Sequence, residues 1–317
     1  MNQLATFRTV SLPGFDNEQI GYDRKSGRIF LLSDSQLLSV PSASILQLDD
    51  TPVSQGHFRH SLAVHVEECG QFALSATGQV FWLDFEDVLH TINPGTIEAR
   101  ALCHPPAGFS ISEFAVDAEG RTALCLIERD ERDEPLLQYQ WRCLNLHDGT
   151  WSPVGVPQVE TIAPARWLGW WNNSVACFFD TGGLSFWHPA ENRIEQLRLP
   201  ASEEIRSAAF FPERSYGLLN VDGDEGQLAT DLLSRQEDRF TSKRLLDDQH
   251  VVAIFPDGLN ALAVTEQDYL GWVNLGSRQT TELCTLPFDP VETITLPDGV
   301  MLMFADDSVF VLEPQQH

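Results

Sequence analysis

Three residues near position 60 have side chains that suit acid–base chemistry on a charged substrate. They belong to the segment Gly56-His57-Phe58-Arg59-His60. A histidine exchanges protons near neutral pH, and an arginine binds phosphate or carboxylate through paired hydrogen bonds. His57, Arg59 and His60 are therefore the candidate catalytic residues. A short motif without its structural context is only a hypothesis, so a non-catalytic role in a loop is the competing interpretation.

A second group of candidate residues is acidic and falls in segments that the chain pattern predicts to be loops. Carboxylates gathered on one face attract a basic partner and accelerate its association. The alternative is that aspartate simply favours tight turns. The run Asp222–Gly226 lacks the twelve-residue pattern of an EF-hand, so we predict a turn there and no metal site. The predicted partner-binding residues are Asp130, Glu131, Asp133, Asp222, Asp224, Glu225, Asp247 and Asp248.

The overall composition narrows the partners that this face could bind. Forty-six acidic residues against twenty lysines and arginines give a formal charge of −26. Such a charge argues against binding nucleic acid or an anionic membrane. It favours a basic protein partner, and we expect the chain to act as a monomer within a larger complex. The sequence has no glycine-rich phosphate loop and no Cys–His spacing typical of zinc, so no cofactor is predicted.

The six cysteines and the apolar segments indicate the expected compartment. Most of the cysteines lie in apolar runs, where a free thiol behaves as a small hydrophobic side chain. We therefore expect reduced thiols rather than disulfides. No segment is apolar for long enough to cross a bilayer, and the first ten residues do not resemble a secretory signal. These features predict a cytoplasmic location.

A sequence repeat along the whole chain predicts which elements position these residues. Each copy has a short apolar stretch, a turn, an apolar run, an acidic turn and a further run that ends near an aromatic residue. A period in the forties with four strand-sized pieces per copy is typical of a β-propeller. We predict an all-β, seven-bladed propeller that occupies residues 1–317 as a single domain. The predicted turns between first and second strands lie at Gly27, Gly70, Gly120, Asn173, Arg214, Gly258 and Gly299.

Within each copy, the second strand is predicted from an almost continuous apolar run, as expected for a strand covered on both faces. In the second copy this is QFALSAT, followed by QVFWLDF as the third strand. The last copy has only three strands. Its outer strand is predicted to come from residues 5–13, ATFRTVSLP, which would close the ring and remove an open sheet edge. These residues would pair with the strand around Val309 to Leu312.

Two resemblances follow from these residues. Trp82, Trp187 and Trp272 lie near the ends of predicted third strands and close to a polar residue, an arrangement that resembles the end of a WD repeat. The resemblance spans nearly the whole chain and implies a WD-like propeller. The segment from His57 to His60 faintly resembles the Arg-His segment of sugar-phosphate lactonases, which are seven-bladed propellers, but Phe58 replaces the expected proline.

These observations lead to one main functional interpretation and two alternatives. The main interpretation is a non-enzymatic scaffold, whose stiff ring holds short loops in place while a basic partner docks on the acidic face. The first alternative is a propeller enzyme of the lactonase or sugar-hydrolase kind. The second is a neutralising, immunity-like partner of a basic toxin or nucleic-acid enzyme, in which the carboxylates imitate phosphates.

Overall fold

The computed structural model describes most of the chain. The described residues are 5–12, 19–48, 66, 68–92, 99–129, 138–154, 167–172, 175–180, 183–197, 200, 203–211, 215–223, 226–236, 239–255, 257–286, 290, 292–305 and 307–314. They form strands β1 to β27 and one short helix, α1 (Ser42–Leu46). The strands make seven separate antiparallel sheets, and each sheet is one blade of a propeller. No helix among these residues has the length and apolar character needed to cross a membrane.

The blades follow one another along the chain, and their strands have these bounds. Blade 1 consists of β2 (Gln19–Asp23), β3 (Arg28–Ser33) and β4 (Gln36–Pro41). Blade 2 consists of β5 (Cys69–Leu74), β6 (Val80–Asp84), β7 (Leu89–Ile92) and β8 (Arg100–Cys103). Blade 3 consists of β9 (Ser110–Val116), β10 (Thr122–Arg129), β11 (Gln138–Asn145) and β12 (Trp151–Pro153). Blade 4 consists of β13 (Trp167–Asn172), β14 (Val175–Asp180), β15 (Gly183–His188) and β16 (Arg193–Leu197).

The remaining three blades complete the ring. Blade 5 consists of β17 (Glu204–Phe211), β18 (Tyr216–Asp222), β19 (Leu228–Gln236) and β20 (Arg239–Asp247). Blade 6 consists of β21 (Gln249–Ile254), β22 (Asn260–Thr265), β23 (Tyr269–Asn274) and β24 (Gln279–Thr285). Blade 7 consists of β25 (Glu292–Thr295), β26 (Met301–Phe304), β27 (Ser308–Pro314) and β1 (Ala5–Ser11).

The first strand of each blade lies nearest the axis. β2 contacts β5 and β25, β5 contacts β9, β9 contacts β13, and β13 contacts β17. β21 contacts β25 on one side and blade 5, through β18 and β19, on the other. These inner strands therefore surround a central channel. The second strands are covered by both neighbouring blades, and Met301, Leu302, Met303 and Phe304 of β26 are all fully buried.

The ring is closed by the two ends of the chain, as the sequence predicts. β1 pairs with β27 in antiparallel register, with Arg8 opposite Val311 and Val10 opposite Val309. Val10 is fully buried, and Leu12, just beyond β1, is also fully buried in the core shared by blades 1 and 7. The pairing satisfies the outer edge of β27, which would otherwise expose unpaired backbone groups.

The predicted strand order in the second copy is wrong by one strand. QFAL belongs to β5, the inner strand, and VFWLD forms β6, the second strand. The turn between them contains Gly78, whose φ of 82° is in the left-handed region that favours glycine. Gly70 lies inside β5 instead. Trp82 is consequently on a second strand. The sequence was misleading because both strands are short apolar runs next to a glycine.

The connections between strands alternate between the two faces of the ring. The upper face is defined here as the side that carries the turns from second to third strands and the connections from one blade to the next. The lower face carries the other turns, including that at Gly78. Inner strands therefore begin at the upper face, and residues such as Gln249 and Glu292 lie at the upper end of the channel.

Candidate functional site

A cavity of about 390 Å³ lies in the channel against blades 5, 6 and 7. Its wall is formed mainly by residues of the inner strands β17, β21 and β25. Polar residues line both of its ends, with Ser207, Glu292 and Thr293 where β17 and β25 begin, and Arg24 and Thr295 toward the lower face. Ligand sites are commonly concave surfaces with a few convergent polar groups, and this cavity fits that description.

Among the described residues, Glu292 is the acidic side chain that lines this cavity. Its side chain is in contact with water, because it begins β25 at the open upper end of the channel. The cavity wall nevertheless brings many protein atoms close to its carboxyl group. This desolvation raises the pKa of the Glu292 carboxyl group, and a hydrogen bond from the backbone amide of Thr293 opposes the rise only partly. A carboxyl group with a raised pKa in a cleft is a candidate general acid or base.

A buried hydrogen-bond network fixes the opposite wall of the cavity. The side-chain amide of Asn220 donates to the Ser207 hydroxyl at 2.8 Å and to the Val251 carbonyl at 2.7 Å. Its carbonyl oxygen accepts from the Val251 amide at 3.0 Å and from the Thr230 hydroxyl at 2.8 Å. Because Ser207 accepts from Asn220, its own hydroxyl proton is oriented away from that bond. Ser207 is exposed in the cavity wall and can donate to a bound ligand.

β-bulges recur near the upper ends of the inner strands. In β5, β9, β13, β17 and β21 one extra residue interrupts the pairing with the second strand of the blade. Bulges turn side chains out of the regular alternation and are frequent beside functional sites. The extra residues near the upper ends are Gly70, Ser112, Leu168, Arg206 and Val252, and β13 has a second one, Trp171, near its lower end.

The bulge in β17 places Arg206 in a charged cluster on the upper face between blades 5 and 6. The Arg206 guanidinium forms a short ion pair with Asp222, and this bond raises its pKa. The other carboxylate oxygen of Asp222 is 3.3 Å from Nε2 of His250, which is also 3.0 Å from the Val221 carbonyl. The cluster joins one acid, one base and one histidine beside the channel wall.

A second, more polar cavity of about 520 Å³ opens beside this cluster. Its lining combines carboxylates with side-chain amides, and the residues are Gln227, Asp247, Asp248, Gln249, Thr265, Glu266 and Gln267. Nearby, Arg244 is bound to Glu203 at 2.5 Å and to Asp231 at 2.7 Å, and it lies 3.6 Å from Asp247. Each arginine in this region is therefore engaged with at least one carboxylate.

The structure brings together only part of the set predicted from the sequence. Asp222, Asp247 and Asp248 lie on the upper face between blades 5 and 6, as expected for their loops. Asp222 and Asp247 are beside arginines rather than fully available to a partner. The other predicted residues, His57, Arg59, His60, Asp130, Glu131, Asp133, Asp224 and Glu225, lie outside the described residues. Partner binding at the acidic loops stays a prediction.

Sequence reasoning missed Glu292, Ser207 and His250. None belongs to a motif, and each is an isolated polar residue near the start of an inner strand. The available signal was positional, since a polar residue at the upper end of an inner strand must lie at the channel mouth. That signal could be used only with the strand order of every blade already known.

Cysteines and metal-binding groups offer no alternative site in the described part of the chain. None of the six cysteines, all of which are described, forms a disulfide. Desolvation raises the pKa of Cys103 to about 11 and that of the buried Cys125 thiol as well. These thiols are therefore poor nucleophiles and poor metal ligands. Among the described residues, no three His, Cys, Asp or Glu side chains are grouped so that they could hold a metal ion.

Comparison with known proteins identifies the fold. No protein-family model matches the sequence, and no curated protein is significantly similar to it. Among solved structures, an oligogalacturonate lyase in complex with manganese matches with a TM-score of 0.70 and 10% identity, over 99% of this chain and 97% of the other. The oligogalacturonate lyase of Vibrio parahaemolyticus matches with a TM-score of 0.69 and 8% identity, over 98% and 96%. The hydrazine synthase of Kuenenia stuttgartiensis matches with a TM-score of 0.58 and 12% identity, over 96% of both chains.

These comparisons correct the main functional interpretation. The prediction of a non-enzymatic scaffold is wrong, because the two oligogalacturonate lyases that match nearly the whole chain are enzymes, and they favour the enzyme alternative. The composition misled because a docking face and a substrate-binding mouth use the same loops of a propeller. The seven-bladed ring is shared with these structures, whereas no comparison supports a WD-repeat identity. The metal named with the first lyase has no matching group of ligands among the described residues here.

Proposed function

We propose that this protein is a propeller enzyme that cleaves a carbohydrate at the upper mouth of its channel, with Glu292 as the general acid. The observation that carries the proposal is the raised pKa of Glu292 in the wall of the channel cavity. The carbohydrate class is supported by the two structural neighbours named as oligogalacturonate lyases. It also agrees with the sugar-hydrolase alternative drawn from the sequence.

The chemistry needs a proton at the leaving oxygen. Cleavage of a glycosidic bond, by hydrolysis or by elimination, leaves an alkoxide unless a proton reaches that oxygen in the transition state. An ordinary glutamic acid has lost its proton by neutral pH. Because desolvation raises the pKa of Glu292, a larger fraction of this side chain keeps its proton at a given pH. Glu292 can therefore donate that proton to the leaving oxygen.

The cavity wall facing Glu292 positions the sugar. The Ser207 hydroxyl, fixed by Asn220, donates to a sugar hydroxyl or ring oxygen. Because Asn220 is itself held by Val251 and Thr230, this wall spans blades 5 and 6 and does not reorganise when substrate binds. Preorganised donors of this kind lower the barrier without a further entropic cost at the moment of reaction.

The test is the isosteric substitution Glu292→Gln, which keeps the shape of the side chain but removes the transferable proton. With a panel of oligosaccharides of different linkage as substrates, we expect kcat to fall by about 10²- to 10⁴-fold while KM changes little. The control is Glu282→Gln, an exposed glutamate on the outer strand β24, which should behave as wild type. Equal kcat values for the two variants and wild type would refute the role of Glu292.

The pH profile gives an independent reading of the same role. A general acid is active only while protonated, so kcat of the wild type should fall as the pH rises through the pKa of Glu292. Because that pKa is raised, the fall should occur at a higher pH than for an ordinary glutamic acid. Glu292→Gln should lose this alkaline limb, while Glu282→Gln should keep it.

A further inference from the structure

Exposed aromatic side chains are uncommon among the described residues, and the most exposed of them, Phe85, lies on the upper face. Among the described residues, three large apolar side chains are exposed: Phe85 at 63%, Leu259 at 61% and Tyr269 at 41%. Phe85 is in the turn between β6 and β7, which lies on the upper face of blade 2. Leu259 is in a turn of blade 6 on the lower face. Leu259 is as exposed as Phe85 but lies on the opposite face. Tyr269 is at the upper face of blade 6, but it belongs to the third strand β23 and pairs with the outer strand β24, away from the channel.

The turn that carries Phe85 is held rigidly by Asp84. One carboxylate oxygen of Asp84 accepts from the backbone amides of Glu86 at 2.9 Å and Val88 at 2.8 Å. The other is 2.6 Å from Nε2 of His90. These bonds outweigh the desolvation of Asp84 and lower its pKa, so the carboxylate remains charged. A side chain on a fixed turn loses little conformational freedom when it binds a ligand.

The Phe85 ring leans on the exposed backbone of the inner strand β5. Two of its ring carbons lie 3.6 and 3.7 Å from the position that a Cβ atom on Gly70 would occupy. Gly70 is exposed and is the extra residue of the β5 bulge, near the upper end of the strand. The ring is therefore close to the rim of the channel rather than at the outer edge of the blade.

The charges described on the upper face between blades 5 and 6 disfavour an anionic sugar, and the described arginine that lines the channel cavity, Arg24, lies toward its lower end. Arg206 is neutralised by Asp222, and Arg244 by Glu203 and Asp231. The polar cavity beside them adds the carboxylates of Asp247, Asp248 and Glu266. A uronate chain brought to this surface would meet more negative than positive charge, which costs free energy and slows association. The amides of Gln227, Gln249 and Gln267 in the same cavity instead suit neutral hydroxyl groups.

We propose that Phe85 is the stacking surface for an uncharged pyranose unit of the substrate. This proposal rests on the proposed function and adds the substrate class. The C–H groups on one face of a pyranose form an apolar patch, which packs on an aromatic ring while the hydroxyl groups point to polar side chains. The substrate thus differs from the oligogalacturonate named for the two structural neighbours.

The test measures binding without turnover, on the full chain. Isothermal titration calorimetry compares a panel of neutral tetrasaccharides with tetragalacturonate, using wild type and the variants Phe85→Ala, Phe85→Tyr and Leu259→Ala. We expect a neutral tetrasaccharide to bind most tightly. Phe85→Ala should weaken its binding about tenfold, while Phe85→Tyr and the equally exposed control Leu259→Ala change it less than about twofold.

Several outcomes would overturn the proposal. They are tighter binding of tetragalacturonate than of every neutral sugar, binding of no neutral sugar, and equal effects of Phe85→Ala and Leu259→Ala. The result is separable from the test of Glu292, because Glu292→Gln is expected to retain binding. If Phe85→Ala binds neutral sugars as wild type does, while Glu292→Gln still loses kcat, this inference alone is refuted. If Glu292→Gln has the kcat of wild type, while Phe85→Ala binds neutral sugars more weakly, only the proposed catalytic role is refuted.

Discussion

The closure of the ring makes a quantitative prediction for Leu12. This side chain is fully buried in the core shared by blades 1 and 7, and its backbone amide donates to the Asp307 carbonyl at 2.5 Å. Leu12→Ala removes buried methyl groups and leaves a cavity, which typically costs about 2–5 kcal/mol. For a chain of this length, each kcal/mol lowers Tm by about 2 °C, so we expect a decrease of about 4–10 °C.

The matched control for Leu12 is Thr9→Ala on the neighbouring strand. Thr9 is an exposed residue of β1, and its register partner on β27 is Phe310. Its truncation should change the free energy of unfolding by no more than about 0.5 kcal/mol. Thermal melting followed by circular dichroism compares the two variants with wild type. Equal Tm values for Leu12→Ala and Thr9→Ala would refute the argument that Leu12 stabilises the closure of the ring.

A deletion experiment tests the pairing itself. Removal of residues 1–12 strips β1 from β27 and exposes the unpaired edge of Ser308–Pro314. We expect a larger loss of Tm than for Leu12→Ala, together with aggregation through the open edge. A synthetic peptide of residues 5–12 should restore part of the lost Tm by adding a strand in trans. A truncated protein that melts as wild type would show that the ring does not depend on this strand.

Two further predictions concern groups buried between blades. Desolvation, together with the nearby charges of Arg193 and Arg235, lowers the pKa of His188, although Glu191 and Glu195 oppose this shift. The folded state therefore favours neutral His188, so the free energy of unfolding should be largest above about pH 6.5 and should fall as the pH drops below that value. Calorimetric melting should show a smaller fall for His188→Gln than for wild type. Asn220→Ala removes the hydrogen-bond partner of the Val251 backbone and of the Ser207 hydroxyl. In urea titrations it should lower the free energy of unfolding by about 2–4 kcal/mol. A loss below about 0.5 kcal/mol would contradict the importance of this network.

The fold was predictable because its signals are local and repeated. Continuous apolar runs such as TALCLIE require cover on both faces, and seven such runs at a nearly regular spacing leave few architectures besides stacked blades. The last copy lacks a fourth strand, and residues 5–13 have the sequence pattern of the fourth strands in other copies. These two observations predicted the closure of the ring, and the pairing of β1 with β27 confirms it. The error at Gly70 arose where the spacing was irregular and two short apolar runs competed for one role.

The candidate site was not predictable in the same way, because it depends on residues far apart in the chain. Ser207, His250 and Glu292 come from three blades and share no motif; only the curvature of the ring brings the starts of β17, β21 and β25 to one channel mouth. The pKa of Glu292 is raised by desolvation in the folded ring, and the charge of Asp222 is matched by Arg206 only because a bulge turns that side chain toward it. Local apolar patterning thus determined the blades, whereas desolvation and charge pairing at the channel were decided by the tertiary structure.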